Sequence, residues 1–242
     1  MEKFIDPLEK HYQQLRRLGQ RLGIPTFEAF LEMEVQDGRG RIIHSHRQRS
    51  HSWTRNAYNS LFCQIALKNA SDVTFGAGKL SFKAGNNSIY SGNKIYVSPN
   101  GGASGSDLDL LQSNNVSFLG SAGADNQGII VGSGNMAESF EDYALATKIA
   151  HGNTAGQLSY SASNPHAVGY NADTKTLIDT LVRYFNNNSG GSIEVREMAI
   201  ATGYVNGGAF FMMSRDVLGS TITIPNTGQL KVTYTIQLVY PA

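Results

Sequence analysis

The sequence predicts a mainly β protein: an antiparallel, jelly-roll-like β-sandwich preceded by an N-terminal helical arm and a β-hairpin. Three observations carry that expectation. Leu230, Val232, Tyr234, Ile236, Leu238 and Tyr240 recur at every second position, with Lys231, Thr233, Thr235 and Gln237 between them. That is the period of a strand with one apolar face, built from residues that suit a pleated surface. Several apolar runs in the C-terminal half are separated by turn clusters at intervals of about 8–12 residues, which indicates a sandwich or barrel. The composition agrees, with 26 glycines in 242 residues and a charged share of only 16%.

Net charge is +1, which argues against a polyanion-binding protein overall. The charge is uneven. Residues 1–60 carry ten Lys and Arg against seven Asp and Glu, whereas residues 61–242 carry ten against twelve. A single cysteine, Cys63, excludes an intrachain disulfide and is expected to be a small buried apolar residue. No apolar run approaches the roughly 20 residues that span a bilayer. The N-terminus shows no secretory leader, so folding in a cytoplasm is expected.

Residues 7–22 read as a helix capped by Asp6 and opened by Pro7. Leu8, Tyr12, Leu15, Leu18 and Leu22 form its apolar stripe, and Lys10, Gln13, Arg16, Arg17 and Arg21 lie mostly off it. Such a helix docks on its own domain or on a neighbouring subunit; a basic face also suits a membrane or nucleic acid, although solvated charge is the commoner outcome. Gly23, Ile24 and Pro25 end it.

Residues 28–48 read as a β-hairpin around Asp37-Gly38-Arg39-Gly40. Next to that turn is the most basic window: Arg39, Arg41, Arg47, Arg49 and Arg55, with His44, His46 and His51, and no acid from 38 to 71. Either it meets phosphate or another acidic surface, or it keeps a strand edge soluble. His44 and His46 share a strand face but lack a third ligand at recognisable spacing, so no metal site is expected. Residues 53–67 read as a second helix capped by Ser52, with Trp53, Ala57, Tyr58, Leu61, Phe62 and Ile65 on its apolar face.

From 72 to 137, short apolar runs alternate with Gly, Asn, Ser and Pro, and residues 98–106 read as a long surface loop. Asp107 and Asp109 lack the further acids of a calcium loop. Gly132-Ser133-Gly134 lacks the third glycine and the following helix of a dinucleotide site. Residues 138–151 read as a short helix or turn. Strands are expected at 176–186, 193–201, 209–217 and 230–240, with a separate short edge strand at Ile222 and Ile224 before Pro225. The resulting division is an arm of residues 1–70 and a sandwich of residues 71–242.

Catalytic patterns are absent from the sequence. No nucleophile elbow, Walker loop, zinc spacing or haem motif is present. Glu194 and Glu197 are read as solvent-facing strand residues forming a salt bridge with Arg196, and His151 and His166 as surface residues. No catalytic residue, cofactor or metal is expected.

Three segments look familiar: Tyr184 to Glu197, Phe211 to Leu218, and Thr223 to Tyr234. Ile130 to Asn135 and Asp142 to Leu145 fit the same pattern. Together they resemble the C-terminal β module of structural proteins encoded among the virion genes of tailed bacteriophages and prophages, over roughly residues 128–240. The resemblance implies a non-enzymatic virion component of neck, tail, baseplate or capsid surface. It would be made in the host cytoplasm and assemble as a homo-oligomer with neighbouring virion proteins. Leu8, Tyr12, Leu15, Arg39, Arg41, Arg47, Arg49 and Arg55 are the expected interface, the arginines meeting an acidic neighbour. Alternatives are a tip or fibre protein reading host glycan through Tyr90, Tyr96 and Tyr170, a nucleic-acid contact through the arginine window, and a hydrolase of cell-wall or capsular polymer. No membrane partner is expected.

Overall fold

The computed structural model describes residues 7–59, 118–203 and 210–241, together with short strands at 82–83, 89–90, 95–96 and 108–109. Cys63, the loop 98–106, Asp6 and the later part of the expected second helix lie outside the described residues. So do the side chains of Tyr90 and Tyr96.

In chain order the elements are α1 (Glu9–Leu22), β1 (Thr26–Gln36), β2 (Ile42–Ser50), β3 (Phe82–Lys83), β4 (Ile89–Tyr90), β5 (Ile95–Tyr96) and β6 (Leu108–Asp109). They are followed by β7 (Gly128–Gly132), β8 (Ser159–Tyr160), β9 (Ala167–Asn171), β10 (Thr176–Asn186), β11 (Ile193–Gly203), β12 (Phe210–Ile224) and β13 (Gln229–Val239). The protein is mainly β, with antiparallel sheets arranged as a β-sandwich and an N-terminal helix. The chain divides into two compact units. The first holds residues 1–51, 150–196 and 218–242; the second holds 52–149 and 197–217. The contacts therefore do not divide at residue 70. The hairpin belongs with the C-terminal strands because β1 pairs with β13 along its whole length, from Thr26 opposite Val239 to Gln36 opposite Gln229.

In the first unit a six-stranded sheet runs β2-β1-β13-β10-β8, with β9 also on β10. The strand with the clearest alternation, β13, sits at its centre and is paired on both sides along its whole length. Leu230, Val232 and Tyr234 are fully buried on the inner face, beside Leu31, Met33 and Val35 of β1 and Leu181 and Phe185 of β10. Burying each such side chain contributes about 1.5–3 kcal/mol. Ile193 and Val195 of β11 and Leu218, Ile222 and Ile224 of β12 complete this core. Ile222 and Ile224 are not a separate edge strand; they continue β12, which spans 15 residues and ends before Pro225.

At one end of the sheet the covered face changes. Phe27, Leu238, Leu177 and Tyr170 are opposite one another across β1, β13, β10 and β9. Phe27, Leu177 and Tyr170 are exposed. On the other face of the same end, Val239 and Thr176 are buried.

In the second unit β7 pairs with residues 197–201 of β11, and all five β7 residues are buried. Along β11, residues 193–196 alternate between buried and accessible, whereas 197–202 are buried without a break. Residues 53 and 54 are extended: Trp53 bridges Ser214, and the Thr54 amide donates to Met213 (2.9 Å). Helical conformation therefore starts at Arg55 and not at Trp53. The Ser52 hydroxyl donates to Glu138 and so does not cap that turn. Residues 138–151 form turns and two bridges, Gly132 to Lys148 and His151 to Leu158, without a helix.

Candidate functional site

The hairpin separates the basic window by its period of two. Even-numbered residues of β2 point inward: His46 is opposite Met33, and Gln48 is opposite Leu31. Odd-numbered residues point outward, where Arg47 is opposite Glu32 and Arg49 opposite Phe30. The acids that neutralise these arginines lie on β1 and α1. Arg47 Nε pairs with Glu32 (2.8 Å), and its guanidinium lies over the Phe30 ring at 4.9 Å. Arg41 pairs with Asp37 (2.6 Å), whose Oδ1 also accepts the amides of Arg39 (2.9 Å) and Arg41 (3.0 Å) and so closes the turn. These bonds hold the Asp37 carboxyl below its ordinary range, the Arg41 side chain first among them. In the second unit Arg55 forms a bidentate pair with Glu141 and covers Phe140. Arg39 alone of the five forms no ion pair among the described residues. The window is thus largely neutralised from within, and Arg49 is buried.

Arg49 anchors α1. Its Nε and Nη2 donate to Glu9 (2.5 and 3.0 Å), its Nη1 donates to Glu28 (3.1 Å), and its guanidinium lies 5.0 Å from the Tyr12 ring centre. Arg16 adds a contact to Glu28 at 3.5 Å. Gly19 is buried where a Cβ would meet Thr26 Cγ2 at 2.5 Å, so the helix approaches β1 only because that position lacks a side chain. Beyond α1, Gly23 adopts a left-handed conformation (φ 69°), and the Ile24 amide donates to Gly19 (2.9 Å), a conventional helix stop.

The docked positions are therefore 9, 12, 16 and 19, a mostly polar face. Of the two dockings the sequence left open for the leucine stripe, own domain or neighbouring subunit, the leucines do not take the first. Leu8, Leu15, Leu18 and Leu22 are 46%, 59%, 48% and 61% exposed, and only Tyr12 of the stripe takes part in the docking. The physical reason is the match between Glu9 and Arg49. A charge-assisted, bidentate pair fixes the helix rotation more strongly than a narrow leucine stripe on a sheet face already filled by Phe30, Arg47 and Arg49.

The sequence reading missed the main polar cluster. Glu197 is not a solvent-facing strand residue; it is fully buried. Its Oε1 accepts the amides of Gly134 (3.1 Å) and Thr147 (2.7 Å); its Oε2 accepts the Ala146 amide (3.0 Å) and Arg215 Nε (2.7 Å). Arg215, 2% exposed, also donates to Asp142 (2.8 Å) and to the carbonyls of Met136 (2.9 Å) and Ala137 (3.3 Å). Burial works against its charge, but Asp142 and Glu197 outweigh that and raise its pKa above the ordinary arginine value. Glu138 accepts the Val217 amide (2.6 Å). Gly132 and Gly134 are glycines for this reason, since a Cβ on either would approach Glu197 Oε1 to 2.5 Å. The Gly-Ser-Gly segment wraps the chain's own carboxylate. Both oxygens of Glu197 are committed to structural donors, so the cluster pins residues 134–147 to β11 and β12. By contrast Glu194 does pair on the surface with Arg196 (2.6 Å), as the sequence indicated.

Other polar side chains also serve the fold. His46 contacts Gln48 (2.9 Å) and Ser220 (3.1 Å), and Asn187 donates to Gly191, Ile224 and Pro225 while accepting from Ser189. His166 pairs with Asp179 (2.9 Å), and His151 Nδ1 accepts the Tyr160 amide (3.1 Å). Arg183, fully buried, lies over the Tyr160 ring at 5.0 Å and donates to the Ser161 carbonyl (2.9 Å). Of the expected interface residues, the structure leaves Leu8 outward just before α1, Leu15 outward on α1 and Arg39 outward at the hairpin turn. It uses Tyr12, Arg41, Arg47, Arg49 and Arg55 in intrachain contacts. No family model, no curated protein and no solved structure matches the chain.

Proposed function

We propose that this chain is a non-enzymatic structural component of a tailed-phage virion, of the neck, tail, baseplate or capsid surface, and that it assembles through α1 with copies of itself and neighbouring virion proteins. One observation carries the reading: α1 is locked to its sheet by ion pairs while presenting Leu15, Leu18 and Leu22 to the outside. A helix held rigid with its apolar side outward presents a ready contact and loses little conformational freedom when a partner covers it. Two charged clusters, Glu197 with Arg215 and Glu28 with Arg49, are engaged or buried within the fold. The resemblance of residues 128–240 to virion β modules supplies the particle class.

The test replaces Leu15 and Leu18 by Gln in the phage that encodes the protein. Peptide mass spectrometry of purified particles should find the wild-type chain in stoichiometric amounts. The variant should be absent from particles while its circular dichroism is unchanged. Normal incorporation of the variant, or absence of the wild-type chain, would overturn the reading. Deleting residues 1–50 is not a usable test, because β1 and β2 are part of the main sheet. A second reading, a tip protein that reads host glycan, is favoured by the exposed Tyr170 on β9. It predicts glycan-array hits that Tyr170→Ala abolishes.

A further inference from the structure

The leucine side of α1 has a regular spacing. Leu8, Leu15 and Leu22 are seven residues apart, and His11 and Leu18 fall at the intermediate positions of the same heptad. This is an a/d seam, narrower than the apolar face of an ordinary core helix. One flank is closed, since Tyr12 and Gly19, the residues next to the seam on that side, are engaged with the first sheet. The other flank is open and carries Gln14 and Arg21, with Lys10 and Arg17 beyond them, all exposed. The sole acid of α1, Glu9, is held by Arg49, and that contact keeps its carboxyl below the ordinary value. The accessible side of the helix is therefore a leucine seam, interrupted by His11, whose rim carries Gln14 and otherwise only basic residues.

We infer that this seam receives a helix of a partner protein whose own apolar ridge is rimmed by carboxylates. The inference rests on the reading that α1 is the assembly contact, and names what it contacts. Charge selects the occupant. A second copy of α1 would place Lys10, Arg17 and Arg21 against the same basic residues, and like charges across a helix pair are unfavourable. A lipid surface also carries negative charge. However, a helix that lies in a bilayer interface sinks a broad apolar face, and here the neighbouring face is already docked on protein. A ridge with leucine-like knobs and Glu or Asp beside them satisfies both the seam and its rim.

The experiment uses the full chain and a synthetic helix of about four heptads with Leu at a and d and Glu at e and g, labelled for fluorescence anisotropy. A second peptide differs only in having Lys at e and g. The Glu peptide should bind at least about tenfold more tightly than the Lys peptide. Its binding should weaken as salt rises from about 50 to about 500 mM. Leu15→Gln with Leu18→Gln should remove binding, and Arg17→Glu with Arg21→Glu should reverse the peptide preference. Equal binding of the two peptides, or binding that survives the leucine changes, would overturn the inference. So would α1-dependent dimerisation seen by light scattering without peptide binding, or sedimentation with phosphatidylglycerol vesicles without peptide binding. If the leucine variant leaves particles while neither peptide binds the wild type, the assembly role stands and the acidic-helix partner falls. If the Glu peptide binds as described but the variant still enters particles, the partner chemistry stands and the assembly role falls.

Discussion

Arg215 in the second unit and Arg49 in the first both meet two acidic side chains, yet they do different work. Arg215 meets Glu197, Asp142 and two carbonyls, and Glu197 in turn accepts three backbone amides. Every strong bond at that site is internal to the chain's path, so the pair replaces regular secondary structure along residues 134–147. Arg49 meets Glu9 and Glu28 and clamps one helix onto one sheet face. Glu28 Oε2 has no hydrogen-bond partner and only the longer Arg16 contact at 3.5 Å. One site is a closed network that supports the fold. The other is a clamp that sets the orientation of an element which the fold would survive losing. A buried pair is weak evidence of stabilisation by itself. What matters is how many backbone groups depend on it.

The largest expected effect follows from that dependence. Arg215→Met leaves Glu197 buried and short of a donor, and it should cost about 3–5 kcal/mol, read as a lower urea midpoint with unchanged slope. The double change Glu197→Met with Arg215→Met distinguishes a network from a mere ion pair. An isolated buried pair often tolerates joint replacement by apolar residues. Here joint replacement orphans the amides of Gly134, Ala146 and Thr147, so the double variant should stay at least as unstable as the single one. Recovery to wild-type stability would show that the backbone amides do not need Glu197.

Gly134→Ala probes the same network from the backbone side. The added Cβ lies 2.5 Å from Glu197 Oε1 and 2.7 Å from Ala146 Cβ, and the expected cost is about 1–3 kcal/mol. Breaking the clamp should matter less for global stability. Glu9→Gln, which releases the helix but leaves Arg49 on Glu28, should leave the main unfolding transition nearly in place but speed hydrogen exchange of α1 amides relative to those of β13. Acid should do the same without mutation. The Glu9 carboxyl is held below its ordinary value of 4.5, chiefly by Arg49, so its contribution is present above that pH and is lost as pH falls through the folded value. The protection of α1 amides, relative to their intrinsic exchange at each pH, should then fall below about pH 4.5 while that of β13 holds.

The sheet was legible in the sequence because period two survives wherever one face is covered. β10 and β13 were located to within a residue at each end. The Asp37 turn located the hairpin, but its register alone would place Glu32 opposite His46; the irregularity between Val35 and Gln36 shifts the pairing by one and brings Glu32 opposite Arg47. The cluster was not legible because Glu197 and Arg215 are 18 residues apart in sequence and meet through a segment with no regular pattern. One signal was present: β12 carries Phe211-Met212-Met213-Ser214-Arg215-Asp216 without alternation. A strand buried on both faces that contains Arg and Asp must supply them with partners. Which face of α1 turns inward was left open by the sequence for a related reason. Its leucine spacing predicts which residues share a face, but the Glu9–Arg49 match decides which face turns inward.

The smallest predicted effect lies at His46, where the polar contact is neutral. Burial, opposed by the Gln48 hydrogen bond and reinforced by nearby His44, pushes the imidazole below its ordinary 6.5. In the neutral ring Nε2 donates to Gln48 Oε1, which also takes the Gly219 amide (2.9 Å), and Nδ1 accepts from the Ser220 hydroxyl. The unfolded chain takes up its proton near 6.5, whereas the folded chain resists until lower pH. Stability from this group is therefore complete above 6.5 and declines as pH falls through the folded value. The urea midpoint should drop as pH falls below about 6.5, and His46→Gln should flatten that slope. Loss at this group begins below 6.5 and loss at Glu9 below 4.5, so the sheet starts to weaken with the helix still docked. An unchanged slope in His46→Gln would assign the upper window to another group.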